Sequence, residues 1–126
     1  MYAAQLDIYR TAQKEAMSGR EIEALALTRA ALQLRKCQLE WDPQDREGQR
    51  SEALSLNQRI WTILQGELAK EDNPLPLQLR RDLLSLSVFV DKRTFEVMAH
   101  PAKEKLTMLI KINLNLAAGL RSNPMV

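Results

Sequence analysis

A chain of 126 residues, 45% apolar and 27% charged, has material for one modest hydrophobic core. Eighteen basic residues against sixteen acidic ones leave a net charge of +2, which excludes the strongly basic footprint of a protein that grips nucleic acid by its phosphates. A single cysteine excludes an internal disulfide, and a single histidine leaves little for metal or acid–base chemistry.

Residues 1–17 open the chain. Met1-Tyr2-Ala3-Ala4-Gln5-Leu6-Asp7 has neither the positive start nor the apolar centre of a signal peptide, so the expected location is the cytoplasm. No apolar run approaches the ~20 residues needed to cross a bilayer. Leu6, Tyr9, Gln13, Ala16 and Met17 recur at helical spacing but nothing caps them. Residues 1–17 therefore read as an amphipathic tail that docks on the domain formed by residues 18–126.

Ser18-Gly19-Arg20-Glu21 has capping-box spacing and predicts a first helix running to about Trp41. Asp42-Pro43 offers a cap and a first-turn proline for a second helix to about Lys70, with Gly48 able to delay its start. Asn73-Pro74-Leu75-Pro76 cannot be helical throughout, because each proline pushes its predecessor towards extended geometry. Pro76 opens a third helix to about Ala99. A fourth runs from about Ala102 to Gly119, and Ser122-Asn123-Pro124 reads as a frayed end. No stretch alternates at period two for long. The fold class is all-α, an antiparallel four-helix bundle with an N-terminal amphipathic tail.

Two asparagines interrupt apolar stripes. Asn57 sits at the centre of the apolar arc of the second helix, and Asn113 falls among Leu106, Leu109, Ile110, Leu116 and Leu120 of the fourth. An unpaired amide in a core costs about 1–3 kcal/mol, so each needs a partner, either the other asparagine or a carbonyl of the loop at residues 73–76.

The first and third helices carry two apolar stripes each. In the first, Leu25, Leu32 and Leu39 form one, and Leu27, Ala30, Leu34, Cys37 and Trp41 the other. In the third, Leu79, Leu83, Leu86, Val90 and Val97 oppose Leu77, Leu84, Val88 and Phe95. A bundle helix touching two neighbours needs a wide apolar face, but two doubled helices leave surplus surface. The expectation is a groove that accepts a helix from a protein partner, lined by residues such as Leu25, Leu32, Leu84 and Val88, with Tyr9 of the tail able to cover it.

Catalysis has no constellation to stand on. His100 precedes Pro101 at a helix end and reads as a solvated turn residue. Cys37 has Arg35 and Lys36 beside it, which would lower its pKa if they were close in space, but no base is placed to pair with it. Glu21, Glu23, Asp42 and Asp45 stand at helix starts, where caps and dipoles use them. CxxC, HExxH, GxxxxGK and GxGxxG patterns are missing. Arg35-Lys36 and Arg80-Arg81 form no continuous stripe and read as solvated faces. The expectation is a protein that is not an enzyme, with no cofactor, no metal and no direct contact with nucleic acid.

The ordered set of pieces resembles one family. It comprises Tyr9 in the tail, Arg20-Glu21-Ile22-Glu23 opening a helix, and Ala53-Leu54-x-x-Asn57-x-x-Ile60-Trp61. Asn73-x-Leu75-Pro76-x-x-Leu79-Arg80 leads into Leu84-Ser85-Leu86-Ser87-x-x-Val90, and Leu109-Ile110-x-Ile112-Asn113 precedes Gly119-Leu120. Together they resemble the FlaF family of flagellar biosynthesis regulatory proteins. The stretch from Cys37 to Arg50 is longer than that family's usual connection. The resemblance implies a cytoplasmic accessory protein that binds flagellin as a secretion chaperone, promotes its production or export, and acts with FlbT. It also implies an alternative, a post-transcriptional regulator of flagellin synthesis acting through FlbT or flagellin messenger RNA. Asn57, Trp61, Arg80 and Asn113 stand out as its architectural signature.

Overall fold

A computed structural model of the chain describes residues 19–122. They form α1 (Gly19–Leu39), α2 (Gln49–Ala69), α3 (Leu77–Ala99) and α4 (Leu106–Ser122), the last entered through one 3₁₀ turn at Lys103–Lys105. No strand occurs among the described residues, and the expected antiparallel bundle is what they build. The Ser18 cap, the tail at residues 1–17 and the frayed end beyond Ser122 lie outside the described residues.

The helix pairing can be read from side chains. Gln38, at the end of α1, donates from Nε2 to the Lys103 carbonyl (2.9 Å) and to Thr107 Oγ1 (2.8 Å) at the start of α4. Gln65 on α2 donates to Asp91 Oδ2 on α3 at 3.0 Å. Helix α1 packs closely on α4 and also on α2, α2 packs on α3, and α3 meets α4 at only a few points. The closeness of α1 and α4 has a steric cause. Ala24 and Ala31 of α1 and Ala117 of α4 are all buried, and small side chains let two backbones approach.

That approach builds the polar centre of the core. Trp61 Nε1 donates to Asn113 Oδ1 at 2.9 Å, and Asn113 Nδ2 donates to Asn57 Oδ1 at 2.6 Å and to the Leu27 carbonyl at 3.4 Å. An indole N–H can only donate, so it fixes which end of Asn113 faces it. Asn113 must then offer its amide hydrogens to Asn57, which must answer with oxygen. Of the two partners expected for these asparagines, each other or a loop carbonyl, the core uses the first. Asn57 Nδ2 is left buried with no partner, a cost of about 1–3 kcal/mol set against the three bonds. Around this chain pack Leu27, Leu34, Val90, Leu106 and Leu109, all essentially inaccessible.

The connections differ from expectation at two places: α4 begins at Leu106 and not near Ala102, and of the two starts expected for α2 the chain takes the later one, delayed by Gly48. Helix α1 stops at Leu39, short of Trp41, and Asp42-Pro43 does not start α2. The Asp42 carboxylate instead accepts the Gln44 amide (3.1 Å) and the Arg46 amide (2.9 Å), closing an isolated turn. The chain then passes through left-handed backbone at Asp45 (φ 49°) and Gly48 (φ 72°), and no helix can continue through that geometry. Gly48 has no side chain to cap α2, so Asp45 does it from upstream. Its carboxylate accepts the Arg50 amide (2.8 Å), the Ser51 amide (3.1 Å) and the Ser51 hydroxyl (2.7 Å). Burial pushes the Asp45 carboxyl up, but the Ser51 hydroxyl and the two amides outweigh it and hold it below the usual carboxylate range.

The other end of α2 is closed by the motif around residues 73–80. Asn73 donates to the Glu67 carbonyl (2.9 Å) and accepts the Leu75 amide (3.0 Å), while Arg80 reaches back from α3 to the Lys70 carbonyl at 2.7 Å. Free carbonyls at a helix end need such donors. Arg80 is therefore a tie between the start of α3 and the end of α2.

Candidate protein-interaction faces

Each doubled stripe resolves into a mainly buried and a mainly exposed half, with Leu79 exposed at the start of the inner stripe of α3 and Trp41 part-buried beyond the end of α1. On α1, Leu27, Ala30, Leu34 and Cys37 are buried, whereas Leu25 is 54% and Leu32 59% exposed and Leu39 more so. On α3, Val90 and Val97 are buried, with Leu83 and Leu86 half-buried beside them. Val88 is 52% and Phe95 60% exposed, Leu77 is exposed with them, and Leu84 is half-buried on the same stripe.

The four groove residues expected from sequence do not form one groove. Helices α1 and α3 lie across the bundle from each other, so Leu25 and Leu32 line one outer face and Leu84 and Val88 another. Asp91 lies seven residues beyond Leu84 and takes the bond from Gln65. That places the Leu84 side of α3 next to α2, away from α4. Tyr9 lies outside the described residues.

A groove does exist, along the sparse α3–α4 seam. Its walls are Leu79 and Leu83 of α3 and Leu116 and Leu120 of α4, with Leu75 and Arg20 at the end of the bundle, and its volume is about 230 Å³. Gly119 lies on its α4 side, where an added Cβ would meet no atom within 4 Å. Leu75, Leu83, Leu116 and Leu120 also line a narrower pocket of about 40 Å³ behind it, which ends at Glu23 and Glu67. Burial first, and then the Glu67 charge, push the Glu23 carboxyl above its ordinary range, with Arg20 opposing them. Glu67 is paired with Lys70 at 3.0 Å. Sequence reasoning assigned Glu23 only to the start of a helix. The missed signal was its phase, since it projects on the same side of α1 as Leu27 and Leu34.

The remaining chemical candidates lie apart. Cys37 is buried and free, and burial, reinforced by Asp45 and opposed by Arg50, pushes its thiol up. Its sequence neighbours Arg35 and Lys36 are exposed and do not activate it. His100 is exposed at the end of α3, where its carbonyl accepts Lys105 Nζ at 2.7 Å. Among the described residues no group of His, Cys, Asp or Glu is placed to hold a metal ion, and no helix is long and apolar enough to cross a membrane.

The family model described as flagellar protein FlaF matches residues 5–120, nearly the whole chain. The chain belongs to the FlaF family. No curated protein and no solved structure matches it. Within this FlaF-family chain the match takes in the Trp61–Asn113–Asn57 core, the α2–α3 tie and both walls of the seam groove. It also takes in all but the first four residues of the tail.

Proposed function

We propose that this FlaF-family protein is a non-catalytic, cytoplasmic chaperone that binds flagellin and promotes its production or export. The observation that carries the reading is the surplus apolar surface. Four helices close a core around Trp61, yet Leu25, Leu32, Val88 and Phe95 remain outside it at helical spacing. A flagellar protein with such stripes is suited to hold an amphipathic helix of a subunit that must not assemble early. Leu25 and Leu32 offer one such face and Leu84 and Val88 a second, with Tyr9 belonging to the tail.

Calorimetry of the full chain with monomeric flagellin tests this. The expected result is one-to-one binding at micromolar affinity or tighter. It should be weakened at least tenfold by Val88→Glu or Leu32→Glu while the melting curve is unchanged. Absence of binding would sink the chaperone reading. The second reading, regulation of flagellin synthesis through FlbT or flagellin messenger RNA, is favoured over direct RNA contact by the net charge of only +2. It predicts FlbT binding with little dependence on salt.

A further inference from the structure

We propose that the groove between α3 and α4 is the seat of this chain's own residues 1–18, held by leucine contacts along its length and by a basic side chain of that segment on Glu23.

The first argument is where the segment ends. Residue 19 begins α1, and Arg20, the next residue, is itself part of the groove wall. The described chain therefore begins at the rim of the groove, and that is the point to which residues 1–18 are attached. Reach is no obstacle, since eighteen residues span about 27 Å even if fully helical, and the two leucines of each wall are one helical turn apart.

The second argument is chemical fit. The groove presents leucines from α3, α4 and the loop between α2 and α3, with an open place at Gly119. The segment supplies Tyr2, Leu6, Tyr9 and Ala16 at spacings of three, four and seven, the sequence period of an amphipathic helix. It also carries Arg10 and Lys14. Glu23, half-buried where the pocket ends, forms no ion pair among the described residues. The raised carboxyl of Glu23 marks the cost of leaving it so, and a cation from the segment would lower that cost.

The third argument is continuity within the family domain. The family match begins at residue 5 and closes at Leu120, the last groove residue, so all of the segment but its first four residues falls in the same matched stretch as the seat.

Timed trypsin digestion of the full chain, read by mass spectrometry at Arg10 and Lys14, tests the proposal without any flagellin present. Its failure would leave the chaperone reading untouched. In the wild type both sites should be cut about tenfold more slowly than in Leu79→Glu or Tyr9→Ser, because cleavage tracks the population of the released segment. Leu79 is on the exposed rim, so Leu79→Glu should keep the helix content and cooperative unfolding of the wild type, losing only the modest stability that a seated segment adds. Glu23→Gln should release part of the protection. Equal, fast cleavage in the wild type and all three variants would overturn the proposal. So would protection that grows with protein concentration together with a dimer in sedimentation, since a second copy would then be the occupant.

Discussion

Helix α4 takes part in two contacts that a count of apolar residues would rank as equals. Towards α1 it presents Ala117, Asn113 and Ile110, and the contact is tight. Towards α3 it presents Leu116 and Leu120, and the contact is open enough to leave a groove. The difference teaches that closure follows side-chain size and polar pairing more than hydrophobicity. Alanines bring the backbones of α1 and α4 close enough for an asparagine to find a carbonyl across the gap. Leucines on both sides of the α3–α4 seam hold the helices apart, and among the described residues no side-chain hydrogen bond joins the two.

The sharpest way to break this comparison is Asn113→Leu. It removes the acceptor of the Trp61 indole and the donor to Asn57, leaving both buried and unpaired. The expected loss is about 3–5 kcal/mol by urea unfolding, since a half-satisfied buried network is worse than none. Asn57→Leu should cost only about 1 kcal/mol, because it also removes the orphaned Nδ2. Equal costs, or an unchanged midpoint for both, would refute the directional chain. Ala31→Leu comes next. Overpacking the tight contact should cost about 1–3 kcal/mol in the same assay, and no loss would mean that α1 and α4 are not in close contact there. Leu83→Ala at the seam should cost only about 1 kcal/mol, because its side chain is half-buried and borders open space.

The smallest effect is electrostatic. The folded state raises the Glu23 pKa, so its contribution to stability is present below the unfolded value and is lost as pH rises through the folded one. In a Tyr9→Ser background, where the segment is released and its cation no longer offsets this cost, Glu23→Gln should therefore raise the melting temperature slightly at pH 7 and leave it unchanged at pH 4. The gain should stay below about 0.5 kcal/mol because solvent screens a half-exposed group. Asp45 has the opposite sign, since its lowered pKa gives stability above the unfolded value that is lost as pH falls through the folded one. A thermal-melt series from pH 7 to pH 3, run on wild type and Asp45→Asn and on Tyr9→Ser with and without Glu23→Gln, separates the two.

Much of this was legible in the chain because helix punctuation is local. The prolines at residues 74 and 76 and the glycine at 48 mark breaks by backbone geometry alone. The two asparagines were legible for a related reason, since their phase within an apolar arc forces burial. What could not be read was anything set by the neighbour. Asp45 caps α2 across a left-handed turn whose geometry appears in no spacing rule. Trp61 was visible as a signature, but not as the donor that orients Asn113. Which stripe of a doubled helix faces inward depends on its packing partners, and Leu25, Leu32, Leu84 and Val88 were grouped as one groove for want of that information.

Leucine stripes are periodic, so a helix slid by one turn, about 5.4 Å, meets nearly equivalent neighbours. The indole of Trp61 does not. One turn along α4 in either direction stand Leu109 and Ala117, neither of which can accept a bond. Of the axial alignments open to α2 and α4, one leaves no indole hydrogen stranded in the core. The buried amides thus act as a vernier, rejecting misaligned bundles that the same leucines would tolerate.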